Sequence, residues 1–124
     1  MLDTEMKVAT CKIECGNESG SGALITSNIV LTAGHCVSDA LDNDADISVI
    51  FNPDSTPSVL KARSRAHDTN LDIALLELEA ESNISPINLS SLLPIEGSRF
   101  YSYGWPVSKL TMGHRLEGII NQTF

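Results

Sequence analysis

Basic residues are scarce in this chain. Eight lysines and arginines stand against sixteen aspartates and glutamates, a net charge of −8 over 124 residues. An acidic surface repels phosphate backbones, so nucleic acid is not an expected partner. Long apolar runs are missing as well. No stretch approaches the roughly 20 residues that cross a bilayer, so no membrane partner is expected. The first residues, Met1-Leu2-Asp3-Thr4-Glu5-Met6-Lys7, lack the basic and apolar regions of a secretory signal. A cytoplasmic location is the resulting expectation, provided that Met1 is the natural start.

Cysteine is sparse and odd in number, at three. Cys11 and Cys15 lie on one apparent strand, four positions apart, about 13 Å in extended chain and far beyond disulfide reach. Cys36 has no obvious partner. Free, buried thiols suit a reducing compartment. N-x-S/T triplets begin at Asn17, Asn83, Asn88 and Asn121, and matter only in a secreted protein. No internal repeat, low-complexity tract or heptad pattern is present.

What is there reads as β-structure throughout. In Lys7–Cys15, Ala9, Cys11, Ile13 and Cys15 share one face while Lys12 and Glu14 take the other, the alternation of a half-buried strand. Residues 16–22 read as a glycine-rich turn. Ala23–Ile25 and Ile29–Thr32 flank Thr26-Ser27-Asn28 as a tight hairpin. Ala33–Val37 fits a single helical turn, Ser38–Asp46 a polar loop, and Ile47–Phe51 a β-branched strand. Ser58–Ala66 reads as a strand with Lys61, Arg63 and Arg65 on its wet face. Asp68-Thr69-Asn70 then turns the chain into Leu71–Leu78, a strand expected to be buried on both faces in its middle. Glu79–Pro94 reads as a linker, Gly97–Tyr103 as a strand, and Leu116–Ile120 as a last short strand.

Two residues can carry proton chemistry together. His35 supplies the imidazole best suited to move protons near neutral pH, and it needs a carboxylate to fix its tautomer. Asp72 lies 37 positions later, at the head of an apolar run that would anchor it. A carboxylate beside such a run is expected to be partly buried and short of donors, a need that a histidine Nδ1–H meets.

The flanks of these residues are specific. Gly20-Ser21-Gly22-Ala23-Leu24-Ile25, then Ile29-Val30-Leu31-Thr32-Ala33-Gly34-His35-Cys36-Val37, then Asp72-Ile73-Ala74-Leu75-Leu76, resemble the trypsin-like (chymotrypsin-fold) serine peptidases. The family carries T-A-A/G-H-C around its histidine and D-I-A-L-L around its aspartate. The resemblance implies an all-β fold, an antiparallel Greek-key barrel of the trypsin-like type, with the first barrel complete and the second truncated. By the same resemblance residues 1–94 hold the first barrel, His35, Asp72 and the crossing linker, and residues 95–124 hold the first strands of the second barrel. His35 and Asp72 are then the catalytic pair of a serine endopeptidase acting on protein or peptide substrates, with no cofactor and no metal.

The family's nucleophile motif, G-D-S-G-G, does not occur. Ser90 and Ser91 fall in the linker, Ser98 and Ser102 beside or on a strand, and Ser108 in a turn. Ser19, in Glu18-Ser19-Gly20, reads as turn chemistry. No nucleophile is therefore expected in this chain, and the chain alone is expected to be inactive. A C-terminal continuation or a second chain would complete the second barrel. The competing expectation is a catalytically dead pseudo-protease that acts as a protein-binding module, against which the retained pair argues.

Other candidates are weaker. The family often bonds the cysteine after its histidine to one on the neighbouring strand, but around Gly20 there is none, so Cys36 is expected as a reduced core thiol. An Ile-Val-Gly-Gly activation terminus is also absent, which points to the signal-less, intracellular-type members. Asp42-x-Asp44-x-Asp46 opens like a calcium loop, but Ile47 and Pro53 stand where glycine and glutamate are required. His67 and His114 have no evident acid–base partner. Trp105, between glycine and proline, is expected to be a packing anchor at the barrel junction.

Overall fold

Alternating apolar residues in six successive segments close on themselves. The computed structural model describes residues 3–89, 95–105 and 114–119. A short helix α1 (Asp3–Ala9) leads into β1 (Thr10–Cys15), β2 (Glu18–Leu24) and β3 (Ile29–Ala33). A 3-10 turn (Gly34–Val37) and a helix α2 (Ser38–Asn43) follow, then β4 (Ile47–Phe51), β5 (Ser58–Asp68) and β6 (Ile73–Leu78). These six strands form a closed antiparallel barrel in the order β1-β2-β3-β6-β5-β4. Closure pairs every strand on both sides and so removes the exposed edges of an open sheet. Beyond it, β7 (Arg99–Gly104) pairs with β8 (His114–Ile119) as a two-stranded antiparallel sheet. Among the described residues no helix is long and apolar enough to cross a membrane.

Every second residue points inward. Cys11, Ile13 and Cys15 of β1 meet Leu24, Val30, Val49, Phe51, Ala74 and Leu76, all essentially inaccessible. All three cysteines are free and buried, and burial pushes the Cys11 thiol up to about 12. The outer face of β5 carries Lys61, Arg63 and Arg65, all exposed. A bulge between Ser64 and Ala66 lets Arg63 and Arg65 both reach Glu77 on β6. Their guanidinium groups hold the Glu77 carboxyl below its usual range.

The structure departs from the sequence reading in four places. First, β1 begins at Thr10 rather than Lys7, because residues 3–9 are helical and the Thr10 hydroxyl donates back to the Met6 carbonyl at 2.7 Å. One buried residue, Ala9, fits either period. Second, most of the glycine-rich segment is strand: Glu18–Gly22 pair with β1, and only residues 16 and 17 turn. Gly20 is demanded there by crowding, since a Cβ would sit 2.3 Å from the Cys36 Sγ. Third, the expected polar loop begins as α2, whose Ala40 packs against the core. Fourth, the strand expected from Leu71 begins at Ile73. Its inner face (Ala74, Leu76, Leu78) is buried, while Leu71 is 68% and Ile73 39% exposed.

Trp105 ties β7 to the barrel, as expected of a junction anchor. It is buried, its backbone N–H donates to the Ser21 Oγ at 2.6 Å, and its Nε1–H donates to Asp54 Oδ1 at 3.1 Å. Tyr103 stacks edge-on against it, with ring centroids 5.4 Å apart, and the Lys7 ammonium lies 5.4 Å from the Tyr103 centroid.

Candidate active site

The register of β3 against β6 builds the site. Ala33, the last residue of β3, pairs with Ile73, the first of β6. The next residue outward on each chain is therefore Gly34 and Asp72, and the Gly34 N–H donates to the Asp72 carbonyl at 2.9 Å. The 3-10 turn then swings His35 over Asp72. Its backbone N–H donates to Asp72 Oδ1 at 2.8 Å, and its Nδ1 lies 2.6 Å from Oδ2. Each carboxylate oxygen has its own partner from the same histidine. Asp72 adopts φ 55°, a left-handed conformation that aspartate and asparagine tolerate better than most residues. A Cβ at position 34 would lie 3.1 Å from Asp72 Oδ1, so glycine leaves the carboxylate its place.

This arrangement fixes the tautomer. A nitrogen 2.6 Å from a carboxylate oxygen shares a proton with it, and that proton sits on Nδ1. Nε2 is left as the acceptor, with no hydrogen-bond partner among the described residues. The hydrogen bond from the His35 ring, then that from its backbone, holds the Asp72 carboxyl below its usual range. The His35 side chain is 72% and the Asp72 side chain 50% exposed, so the carboxylate is wetter than its apolar flank implied.

Neighbouring residues brace the turn. Cys36 is buried with its Sγ against Gly20, and burial pushes its thiol up. The space a second cysteine would need at Gly20 is filled by the Cys36 sulfur itself. Thr32 donates its hydroxyl to the Ser21 carbonyl at 2.8 Å, and Ser38 donates to Glu18 Oε1 at 2.6 Å, clamping the turn to β2.

A cleft of about 390 Å³ opens beside the pair, between α2 and the end of β5. Leu41 and Asp42 line one side, and His67, Asp68 and Thr69 the other. His67 thus lies by the site. No sequence signal marks this place, because a strand-pairing register decides it. Ser19 lies on β2 opposite Glu14, and Ser98 is exposed ahead of β7. Ser90, Ser91, Ser108 and the side chains of Ser102 and His114 lie outside the described residues. Among the described residues no three His, Cys, Asp or Glu side chains gather as a metal site.

Residues 20–124 match the family model of the trypsin-like peptidase domain. The chain belongs to that family. Among solved structures, a serine endoprotease from Yersinia pestis superposes on this trypsin-like domain with a TM-score of 0.79 at 21% identity. The match covers 96% of this chain and 42% of that protein, so the trypsin-like chain described here spans less than half of its structural neighbour's length. The likeness is one of fold. No curated protein matches the sequence.

Proposed function

We propose that this chain carries the proton-transfer half of a serine endopeptidase. His35 is the general base that takes the proton of a serine hydroxyl, then the general acid that returns it to the leaving amine. Asp72 holds the imidazole in its working tautomer and stabilises the imidazolium. The nucleophilic serine and the oxyanion donors come from sequence outside these 124 residues, on a continuation or on a second chain. Residues 1–94 form the first-barrel unit and residues 95–124 begin the second. Protein or peptide is the substrate.

The observation that carries this reading is the two-point grip of His35 on Asp72, through the ring at 2.6 Å and the backbone at 2.8 Å, with no hydrogen-bond partner for Nε2 among the described residues. An ion pair this exposed contributes little to stability, so a structural role gives it small return. Covering the pair with a second barrel would strengthen its electrostatics by excluding water. Three reduced, buried thiols fit a reducing compartment.

The test is the intact mass of the native protein from its source, before and after a fluorophosphonate serine probe. One adduct, lost in His35→Ala, is the expected result. A native mass equal to that of this chain with no adduct would replace the peptidase with a protein-binding module.

A further inference from the structure

We infer that Ser21 is a positioning residue for His35: it passes the seating of the segment that begins the second barrel, through Trp105, to the turn that carries the imidazole. The inference rests on the peptidase reading above, because a serine that arrives with the second barrel must find His35 within hydrogen-bond reach. Three observations carry it.

The first is what Ser21 joins. Its hydroxyl accepts the backbone N–H of Trp105 at 2.6 Å, and its carbonyl accepts the Thr32 hydroxyl at 2.8 Å. Its own N–H donates toward the Cys36 sulfur. One residue of β2 therefore meets the segment after β7, the end of β3 and the residue that follows His35. Trp105, Thr32 and Cys36 are all buried, so water cannot stand in for these partners.

The second is how closely these parts approach. A Cβ at Gly104 would lie 2.7 Å from the Ser21 Oγ and 3.1 Å from its Cβ. A Cβ at Gly20 would lie 2.3 Å from the Cys36 Sγ. Two backbone approaches thus stand in series, Gly104 on Ser21 and Gly20 on Cys36. No long, flexible side chain lies between them to absorb a displacement. Close-packed groups hand a shift on to their neighbours.

The third is how little else holds the ring. The His35 side chain is 72% exposed, and its ring bonds only Asp72 among the described residues. The 3-10 turn beneath it starts without a side-chain cap. The imidazole therefore goes where the turn goes. Its 2.6 Å bond to Asp72 Oδ2 is short enough to register a small movement.

The test follows the low-field Nδ1–H signal of His35 in the native protein, together with the rate of fluorophosphonate labelling. Ser21→Ala deletes the oxygen that Trp105 donates to. It should move the signal to higher field and slow labelling about tenfold, since a 1 Å misplacement can cost about 10²-fold. Ser21→Thr keeps the acceptor and should restore both. Gly104→Ala pushes on Ser21 from the β7 side and should move the same signal with Ser21 intact. Val49→Ala, in the barrel core, is the control for simple loss of stability, and should lower the urea midpoint while leaving the signal in place. An unmoved signal in Ser21→Ala or in Gly104→Ala, an equal movement in Val49→Ala, or no recovery with threonine would each overturn the inference. Labelling separates the two readings. An adduct that forms equally fast in the parent and in Ser21→Ala, with the signal unmoved, defeats the role of Ser21 alone. No adduct in any sample, with the signal moved by alanine and restored by threonine, defeats the peptidase reading and upholds the link from Ser21 to His35.

Discussion

Replacing Gly20 by alanine should disturb the site from the far side of the turn, and the damage should depend on Cys36. The new Cβ would stand 2.3 Å from the Cys36 Sγ, against an ordinary contact near 3.5 Å, so the sulfur must retreat by about 1 Å. Cys36 is fully packed, which makes this an overpacking of about 1–3 kcal/mol. Alanine's smaller unfolded-state entropy returns about 0.5 kcal/mol, for a net loss near 1–2 kcal/mol. Cys36→Ala alone removes one buried sulfur and should cost about 1 kcal/mol. In the double variant the Cβ at position 20 faces the Cβ at position 36 at 3.3 Å and occupies the space the sulfur left. The two changes should then cost less together than their sum, with a coupling of about 1–2 kcal/mol. Urea titration reads this directly. Gly20→Ala should lower the midpoint by about 1 M in the parent and by much less in the Cys36→Ala background, with the slope unchanged. Because Cys36 follows His35, Gly20→Ala should also displace the low-field Nδ1–H proton signal of His35. A Gly20→Ala cost that is the same in both backgrounds would refute the steric argument.

Three other outcomes follow from the geometry. Asp72→Asn keeps an oxygen for the His35 N–H but offers Nδ1 the wrong partner, so serine-probe labelling or peptide turnover by the native protein should fall by about 10³–10⁴; retention within about tenfold would end the tautomer argument. The Asp72 carboxyl is held below its ordinary value of 3.8, so the unfolded state binds more protons as the pH passes below that value. The stabilisation is therefore complete above about pH 5 and is lost as the pH falls through the lowered folded value, and Asp72→Asn should remove this pH-dependent part of the urea midpoint; parallel acid curves for parent and variant would contradict it. Trp105→Phe keeps an aromatic ring but leaves Asp54 without its indole donor, and should cost about 1 kcal/mol by urea titration, against about 3–5 kcal/mol for Trp105→Ala.

The barrel was legible because its strands obey a period of two, and that pattern survives local error: Cys11, Ile13 and Cys15 are buried as their alternation requires. His35 and Asp72 were legible through their flanks. What escaped depends on contacts between distant segments or on short elements with weak patterns. Helices α1 and α2, seven and six residues long, are too brief to separate a helical period from an alternating one. The glycines at 20 and 22 looked like a turn because crowding inside a sheet and freedom in a loop select the same residue. The place of His67 by the cleft escaped because it follows from its pairing with Ala74, fixed by the β5–β6 register. The exposure of Asp72 escaped for a related reason. Apolar neighbours in sequence do not bury a residue that sits before the strand begins.

The backbone at Asp72 has a consequence for how such chains diverge. At φ 55° the position accepts aspartate, asparagine or glycine far more readily than any branched or bulky residue. Selection for folding alone would then keep aspartate, asparagine or glycine there, even in a descendant that had given up proton transfer. His35 is under no such backbone constraint and projects into solvent. A lineage drifting away from catalysis should lose the histidine first and the aspartate late, so the imidazole is the better witness to a working relative.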